Sequence, residues 1–223
     1  MSAAREQILA AVRKAKLAGA GARDMVGRQA LLPPKFVRDA RDLVALFAEK
    51  LANVSTSLAM LDHAGEIPAH VAQWLGERGL AGKPVFLAEE PALRVLNWNG
   101  AKLDTHTDAP DVLAPATIVS GAFAGVAETG SIAMVTNGKS RPSHNLLADS
   151  HIVVLRRSQI AASIEDVWRA ARAQGLPRSL AFITGASRTA DIEMSMELGV
   201  HGAVCMHVIL INDESSSAHG FPR

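Results

Sequence analysis

Leu180-Ala181-Phe182-Ile183-Thr184-Gly185-Ala186-Ser187-Arg188-Thr189-Ala190-Asp191-Ile192-Glu193 is the stretch on which the fold turns. Its first five residues read as a buried strand. Gly185 to Arg188 make a tight turn of small residues, and Thr189 onward reads as a helix. Strand, turn and helix in that order form the building unit of an α/β fold. The same arrangement gathers free N–H groups, two hydroxyls and a guanidinium at one helix N-terminus, which favours anions. Gly185, Ser187, Arg188 and Thr189 are therefore candidate ligand-binding residues. The plainer alternative is that Ser187 or Thr189 only caps the helix. Asp191 and Glu193, in the first turn or so, already supply negative charge to the dipole, so a bound anion would lean on Arg188 and directed N–H bonds.

Outward from this stretch the pattern repeats. Ala203 to Ile211 is a long apolar strand, expected near the centre of the sheet. Upstream, Ser163 caps a helix with Ile164, Val167, Trp168 and Ala171 as its core stripe, and Asp166 completes a capping box. His151-Ile-Val-Val-Leu, Ser131 to Thr136, Thr117 to Ser120, Leu93-Arg-Val-Leu, Pro84-Val-Phe-Leu-Ala and Val54 to Met60 read as strands. Gly65 to Arg78 is a helix with Ile67, Val71, Trp74 and Leu75 buried. This alternation predicts an α/β fold with a mainly parallel sheet flanked by helices.

The first fifty or so residues differ. Ala3 to Leu17 forms an amphipathic helix with Ile8, Leu9 and Val12 on one side. A connector ending in Pro33-Pro34 follows, then a second helix carrying Ala40, Leu43, Val44, Phe47 and Leu51. The expected organisation is a helical arm over 1–52, an α/β domain over 53–212 and a flexible tail over 213–223.

The bulk numbers exclude several classes. The 223 residues are 48% hydrophobic, with a net charge of +1. There is core material for one medium domain and no global pull toward nucleic acid or membrane. The N-terminus lacks the apolar centre of a signal peptide, and no apolar run is long enough to span a bilayer. A cytoplasmic protein is the expectation. Cys205 is the single cysteine, so this chain has no internal disulfide and cannot hold an iron–sulfur cluster through four cysteines. In its apolar run, Cys205 reads as a buried, inert thiol. No metal signature, dinucleotide fingerprint or P-loop is present.

Other candidate residues lie at the glycine-marked segment 117–136 and after the opening stretch. Glu128-Thr129-Gly130 stands between apolar segments, where a carboxylate must be paired or perturbed. Glu128 is a candidate catalytic base. It is equally readable as a partner of Arg188 or an acceptor of backbone N–H bonds. His201, in Gly199-Val-His-Gly202, is a candidate proton-handling residue or a hydrogen-bonded turn histidine. His207 reads as a satisfied core residue. The polar loop Asn137 to Asp149 carries Arg141 and His144, a possible lid. Asn97 to Pro115 reads as a long polar excursion.

Glu128-Thr129-Gly130-Ser131-Ile132, Gly185-Ala-Ser-Arg-Thr-Ala-Asp-Ile-Glu193 and Gly199-Val-His-Gly202 resemble, in order and spacing, the marks of the lactate-utilisation domain family, and of its C-type branch most closely. The resemblance spans roughly residues 35–212. Ala203 departs from it, since proline is expected after Val-His-Gly in many relatives. The resemblance implies an α/β fold similar to sugar-phosphate isomerases and CoA-transferases. It also implies a non-iron–sulfur subunit of a system oxidising L-lactate to pyruvate, with clusters on two partner subunits and none on this chain. In that reading the chain binds a small anionic ligand through Thr129, Gly130, Gly185, Ser187, Arg188 and Thr189, with Glu128 or His201 handling a proton, or it organises the iron–sulfur partners, or both. Two alternatives remain: a stand-alone isomerase-like or acyl-CoA-transferase-like enzyme using Glu128, and a structural module whose arm is the contact.

Overall fold

A computed structural model describes residues 3–19, 43–107, 116–136, 148–175, 177–190, 196–199 and 202–212. The chain divides into two units, residues 1–36 and 37–223. The first contains helix α1, Ala3–Gly19. Ile8, Leu9 and Val12 are exposed on it.

The second unit begins, among the described residues, with α2, Leu43–Asn53. Phe47 and Leu51 on this helix are fully buried. The second helix of the expected arm therefore belongs to the core of the α/β unit.

Twelve strands are present among the described residues. They are β1 Thr56–Leu61, β2 Val85–Leu87, β3 Thr105–His106, β4 Thr117–Gly121, β5 Ala124–Val126, β6 Ser131–Thr136, β7 Ser150–Arg156, β8 Ile160–Ala161, β9 Ser179–Ile183, β10 Arg188–Ala190, β11 Met196–Leu198 and β12 Cys205–Ile211. Six form one sheet in the order β1-β12-β7-β4-β2-β3, with every pairing parallel. The long apolar strand β12 lies between β1 and β7, as its composition requires: a strand buried on both faces reads as a continuous apolar run.

The two faces of this sheet are covered differently. Helix α3, Ile67–Glu77, and the short α4, Pro91–Arg94, lie on one face. There Ile67, Val71, Trp74, Leu75 and Leu93 pack with Val85, Val119, Ile152 and Ile209. The other face meets α2 and a second sheet. Phe47 and Leu51 pack there with Ile118, Ile132, Val153 and Val208.

The second sheet has the order β8-β5-β6-β9. Its β5–β6 and β6–β9 pairs are antiparallel. Helix α5, Ile164–Ala173, packs on it through Val167, against Ala124, Val126 and Ala133. The sequence pattern shows the parallel sheet but leaves this smaller sheet unread, because β5 and β8 are only three and two residues long.

Three local expectations are corrected. First, Leu93–Leu96 is not a strand: Pro91 starts a helical turn at Glu90, where its fixed φ suits the first helical position. Trp98 Nε1 then donates to Leu93 O at 2.7 Å and closes the turn. Second, Trp168 is 41% exposed, and Val167, Ala170 and Ala171 are the buried residues of α5. Third, no helix starts at Thr189. Residues 188–190 are strand β10, antiparallel to β11. Thr189 and Ala190 suit a β ladder as well as a helix, and cross-strand pairing with 196–198 decides between them.

The Pro33-Pro34 connector, the lid residues Arg141 and His144, most of the 137–149 loop, His201 and the tail lie outside the described residues.

Candidate functional site

The sequence-selected residues fall into two groups. Gly130, Gly185 and Arg188 converge on the end of α2 and the turn that leads from it into β1, with Thr129 and Ser187 next to them in the chain. Gly130 takes φ +69°, and a Cβ there would sit 2.7 Å from the Lys50 carbonyl carbon. Gly185 takes φ +78°, and its Cβ would run into Val54 O. Both glycines let backbone pass against backbone, which no other residue permits at a positive φ. Thr129 Oγ1, Ser131 Oγ and Thr184 Oγ1 form a chain of hydroxyl contacts at 2.7 Å per step. The Ser187 amide donates to Ala203 O at 2.8 Å. The Arg188 guanidinium is exposed and donates to Ser55 Oγ. The helix-dipole argument for an anion here falls with the absent helix; what remains is an exposed guanidinium beside a tightly packed turn.

Glu128 goes elsewhere. Its Oε1 accepts the Ile164 amide at 2.9 Å, so it caps the N-terminus of α5 from 36 residues away. Ser163 and Asp166 form the expected capping box on the same end, with the Asp166 amide donating to Ser163 Oγ at 3.3 Å and the Ser163 amide donating to Asp166 Oδ2 at 3.2 Å. Asp166 stays below the usual carboxylate range: burial pushes it up, but hydrogen bonds from Ser163 and Arg169 outweigh that. Three carboxylates, counting Glu165, thus occupy this helix start. They complement the dipole there and leave the end unfit for an anion.

Two arrangements were missed by sequence reasoning. The first lies under α3. His207 is buried on β12, and Ser57 Oγ lies 2.8 Å from its Nδ1. His207 Nε2 meets His70 Nε2 at 2.9 Å. The ring centroids are 5.2 Å apart, so with the two nitrogens this close the imidazoles meet edge to edge. One of the two must donate and the other accept. Burial, then the charges of His70 and Arg78, push His207 down to about 4, against a smaller upward pull from the Ser57 backbone. His70 is also lowered, by burial. The expectation that His207 is a satisfied core residue holds. Ser120 Oγ and His151 Nε2 make a comparable buried contact at 2.8 Å on the opposite face.

The second arrangement stands at the carboxyl ends of β2 and β4. The chain leaves β2 toward the α3 face, where Leu93 packs. It leaves β4 toward the opposite face, where Ala122 and Ala127 pack. Adjacent parallel strands whose continuations go to opposite faces mark a topological switch point, the place where open α/β sheets bind ligands. The Ala88 amide still donates to Val119 O at 2.9 Å. Two residues beyond each of these partners, the Gly121 amide is met by the Glu90 side chain, at 3.2 Å to Oε2. Burial raises the Glu90 carboxyl, while the amides of Gly121 and Glu90 itself pull it partly back. Gln159, just past β7, donates through Nε2 to Ala122 O at 2.8 Å and accepts the Arg156 amide at 2.8 Å. The rim is thereby fixed by its own hydrogen bonds. The available sequence signal was the pair Glu89-Glu90 directly after a buried strand, with glycine ending the neighbouring strand.

Among the described residues no group of three or more His, Cys, Asp or Glu side chains could hold a metal ion. No described helix is long and apolar enough to cross a membrane. Cys205 is half-buried.

Comparison with known proteins adds the following. The LUD domain model matches residues 2–211. Lactate utilization protein C of Halalkalibacterium halodurans is 29% identical over 57% of this chain and 66% of its own length. The protein of that name from Deinococcus radiodurans is 29% identical over 66% of this chain and 70% of its own. That from Shouchella clausii is 36% identical over 40% of this chain and 41% of its own. The match to the first of these thus stops just short of two thirds of the relative's length. A crystal structure of a DUF162 family protein from Deinococcus radiodurans superposes with a TM-score of 0.57, at 22% identity, over 76% of this chain and 96% of that one. At that identity the likeness speaks for the fold, and it agrees with the α/β architecture described above.

Proposed function

Because this chain belongs to the LUD domain family, we propose that it is a component of a lactate-utilisation system. The observation that carries this reading is the family match over residues 2–211, together with relatives named lactate utilization protein C in several bacteria. The system's chemistry is the oxidation of L-lactate to pyruvate. With Cys205 as its only cysteine, this chain does not supply the usual four thiolates of an iron–sulfur cluster. Electron carriage is therefore assigned to cysteine-rich partner subunits in the cytoplasm. This chain's part is to bind a small anionic ligand, to organise those partners, or both. The reading of Glu128 as the nucleophile of an isomerase-like or transferase-like enzyme gains no support from its geometry, since its Oε1 is engaged by the α5 amide.

The test is genetic and biochemical. A bacterium deprived of its own lactate utilization protein C should regain growth on L-lactate when this chain is expressed. The tagged chain should co-purify iron-containing proteins from its native cell. Failure on both counts would refute the reading.

A further inference from the structure

We propose that the switch point between β2 and β4 is the small-molecule site of this chain, and that Glu90 is the residue that hydrogen-bonds the ligand there. This inference rests on the lactate-utilisation reading for its ligand class, a short 2-hydroxy or 2-oxo monocarboxylate. It rests on the structure for its place.

Three observations fix the place. The continuations of β2 and β4 part to opposite sheet faces just past Leu87 and Gly121. Glu90 turns back across that parting and binds the Gly121 amide through Oε2 at 3.2 Å. Gly121 bears no side chain, and a Cβ there would stand in ordinary contact with Glu90, 3.6 Å from Cδ and 3.7 Å from Oε1, so a larger side chain would crowd the carboxyl. One carboxylate oxygen is thus held by the backbone. Oε1 has no role in that bond.

The chemistry follows from the group. A 2-hydroxy acid presents a hydroxyl, which donates to a carboxylate. A 2-oxo acid presents a carbonyl, which accepts from a carboxyl. A protonated Glu90 meets both, since a hydroxyl also accepts; burial favours that form, and the ligand's own carboxylate favours it further by repelling a second negative charge. No redox step is assigned to Glu90.

Binding of L-lactate and of pyruvate to the purified full chain, measured by calorimetry or ligand-observed NMR between pH 5.5 and 8, tests this. The parent should bind both, and more tightly as pH falls, because protonating Glu90 removes the repulsion between two carboxylates. Glu90→Gln keeps the size and an acceptor for the Gly121 amide. Being neutral at every pH, it should flatten the pH profile and bind both acids at pH 8 at least as tightly as the parent does. Gly121→Val should block binding by crowding the carboxyl, which keeps the test open if Glu90→Gln unfolds. Glu128→Gln should bind as the parent does. The proposal is overturned if the parent binds neither acid, or if the folded Glu90→Gln protein keeps the parental pH profile and Gly121→Val binds with parental affinity. Growth on lactate separates the two readings. Restoration by the parent, Glu90→Gln and Gly121→Val chains alike would sink the site and leave the role standing. Binding without restoration would sink the role and leave the site standing.

Discussion

Lowering the pH from 7.5 to 5.5 should weaken the α/β unit through His207. In the unfolded chain this histidine titrates near 6.5; in the fold it is held neutral down to about 4. Between those values the unfolded chain binds a proton that the folded one refuses, so stability is full above 6.5 and falls as pH drops toward 4. The linkage integral between pH 7.5 and 5.5 comes to about 1.3 kcal/mol. His207 is 3% exposed, so solvent screening does not erode this figure. The hydrogen-bond geometry adds a limit: with Nε2 atoms 2.9 Å apart, only one of the two nitrogens carries a proton there, so the two imidazoles cannot both be charged. The assay is urea unfolding at a series of pH values for the parent and His207→Gln. The variant should be less stable at pH 7.5, having lost contacts to Ser57 and His70. It should then lose about 1.3 kcal/mol less than the parent on going to pH 5.5, or roughly 3 to 5 °C less in melting temperature. Equal pH slopes for the two proteins would refute the reasoning.

Three further outcomes follow from the packing. Gly185→Ala should cost upward of about 2 kcal/mol, because a Cβ at φ +78° meets the Val54 carbonyl, which cannot retreat as a side chain would; thermal melting reads it. Glu128→Ala should cost about 1 kcal/mol by removing the acceptor for the Ile164 amide, with the loss of protection in hydrogen exchange concentrated in α5. Phe47→Ala should cost about 3 to 5 kcal/mol, since this fully buried ring lies between the two sheets. A loss under 1 kcal/mol in chemical denaturation would show that α2 is not part of the core.

Much of the large sheet was legible because its strands carry their own signature. β12 and β7 are runs of Val, Ile and Leu long enough that only burial on both faces explains them. α3 was legible because its four apolar residues recur at helical spacing. The capping box of α5 was legible because Ser163 and Asp166 satisfy each other locally. What failed was decided elsewhere in the chain. Thr189 carries no local mark that separates helix from strand, and partners at 196–198 make it a strand. Glu128 could be named as a costly carboxylate but not placed, because its amide partner is 36 residues away.

The same distinction explains why the site moved. A motif argument selects residues by composition, and it selected a turn rich in Gly, Ser and Arg. In the fold, Gly130 and Gly185 serve backbone contact with α2 and the residue after it, and the Ser187 amide serves β12's approach through Ala203. Those residue types are needed there for packing, whatever else they do. Glu90 has the opposite character. It is a carboxyl drawn into partial burial at the point where two parallel strands separate, bound to the Gly121 amide of the neighbouring strand. The charge costs stability to hold there, and a neutral side chain would accept the same amide. A costly group at a place where α/β sheets bind ligands is the stronger functional signal. It became visible only once the order of the strands was known.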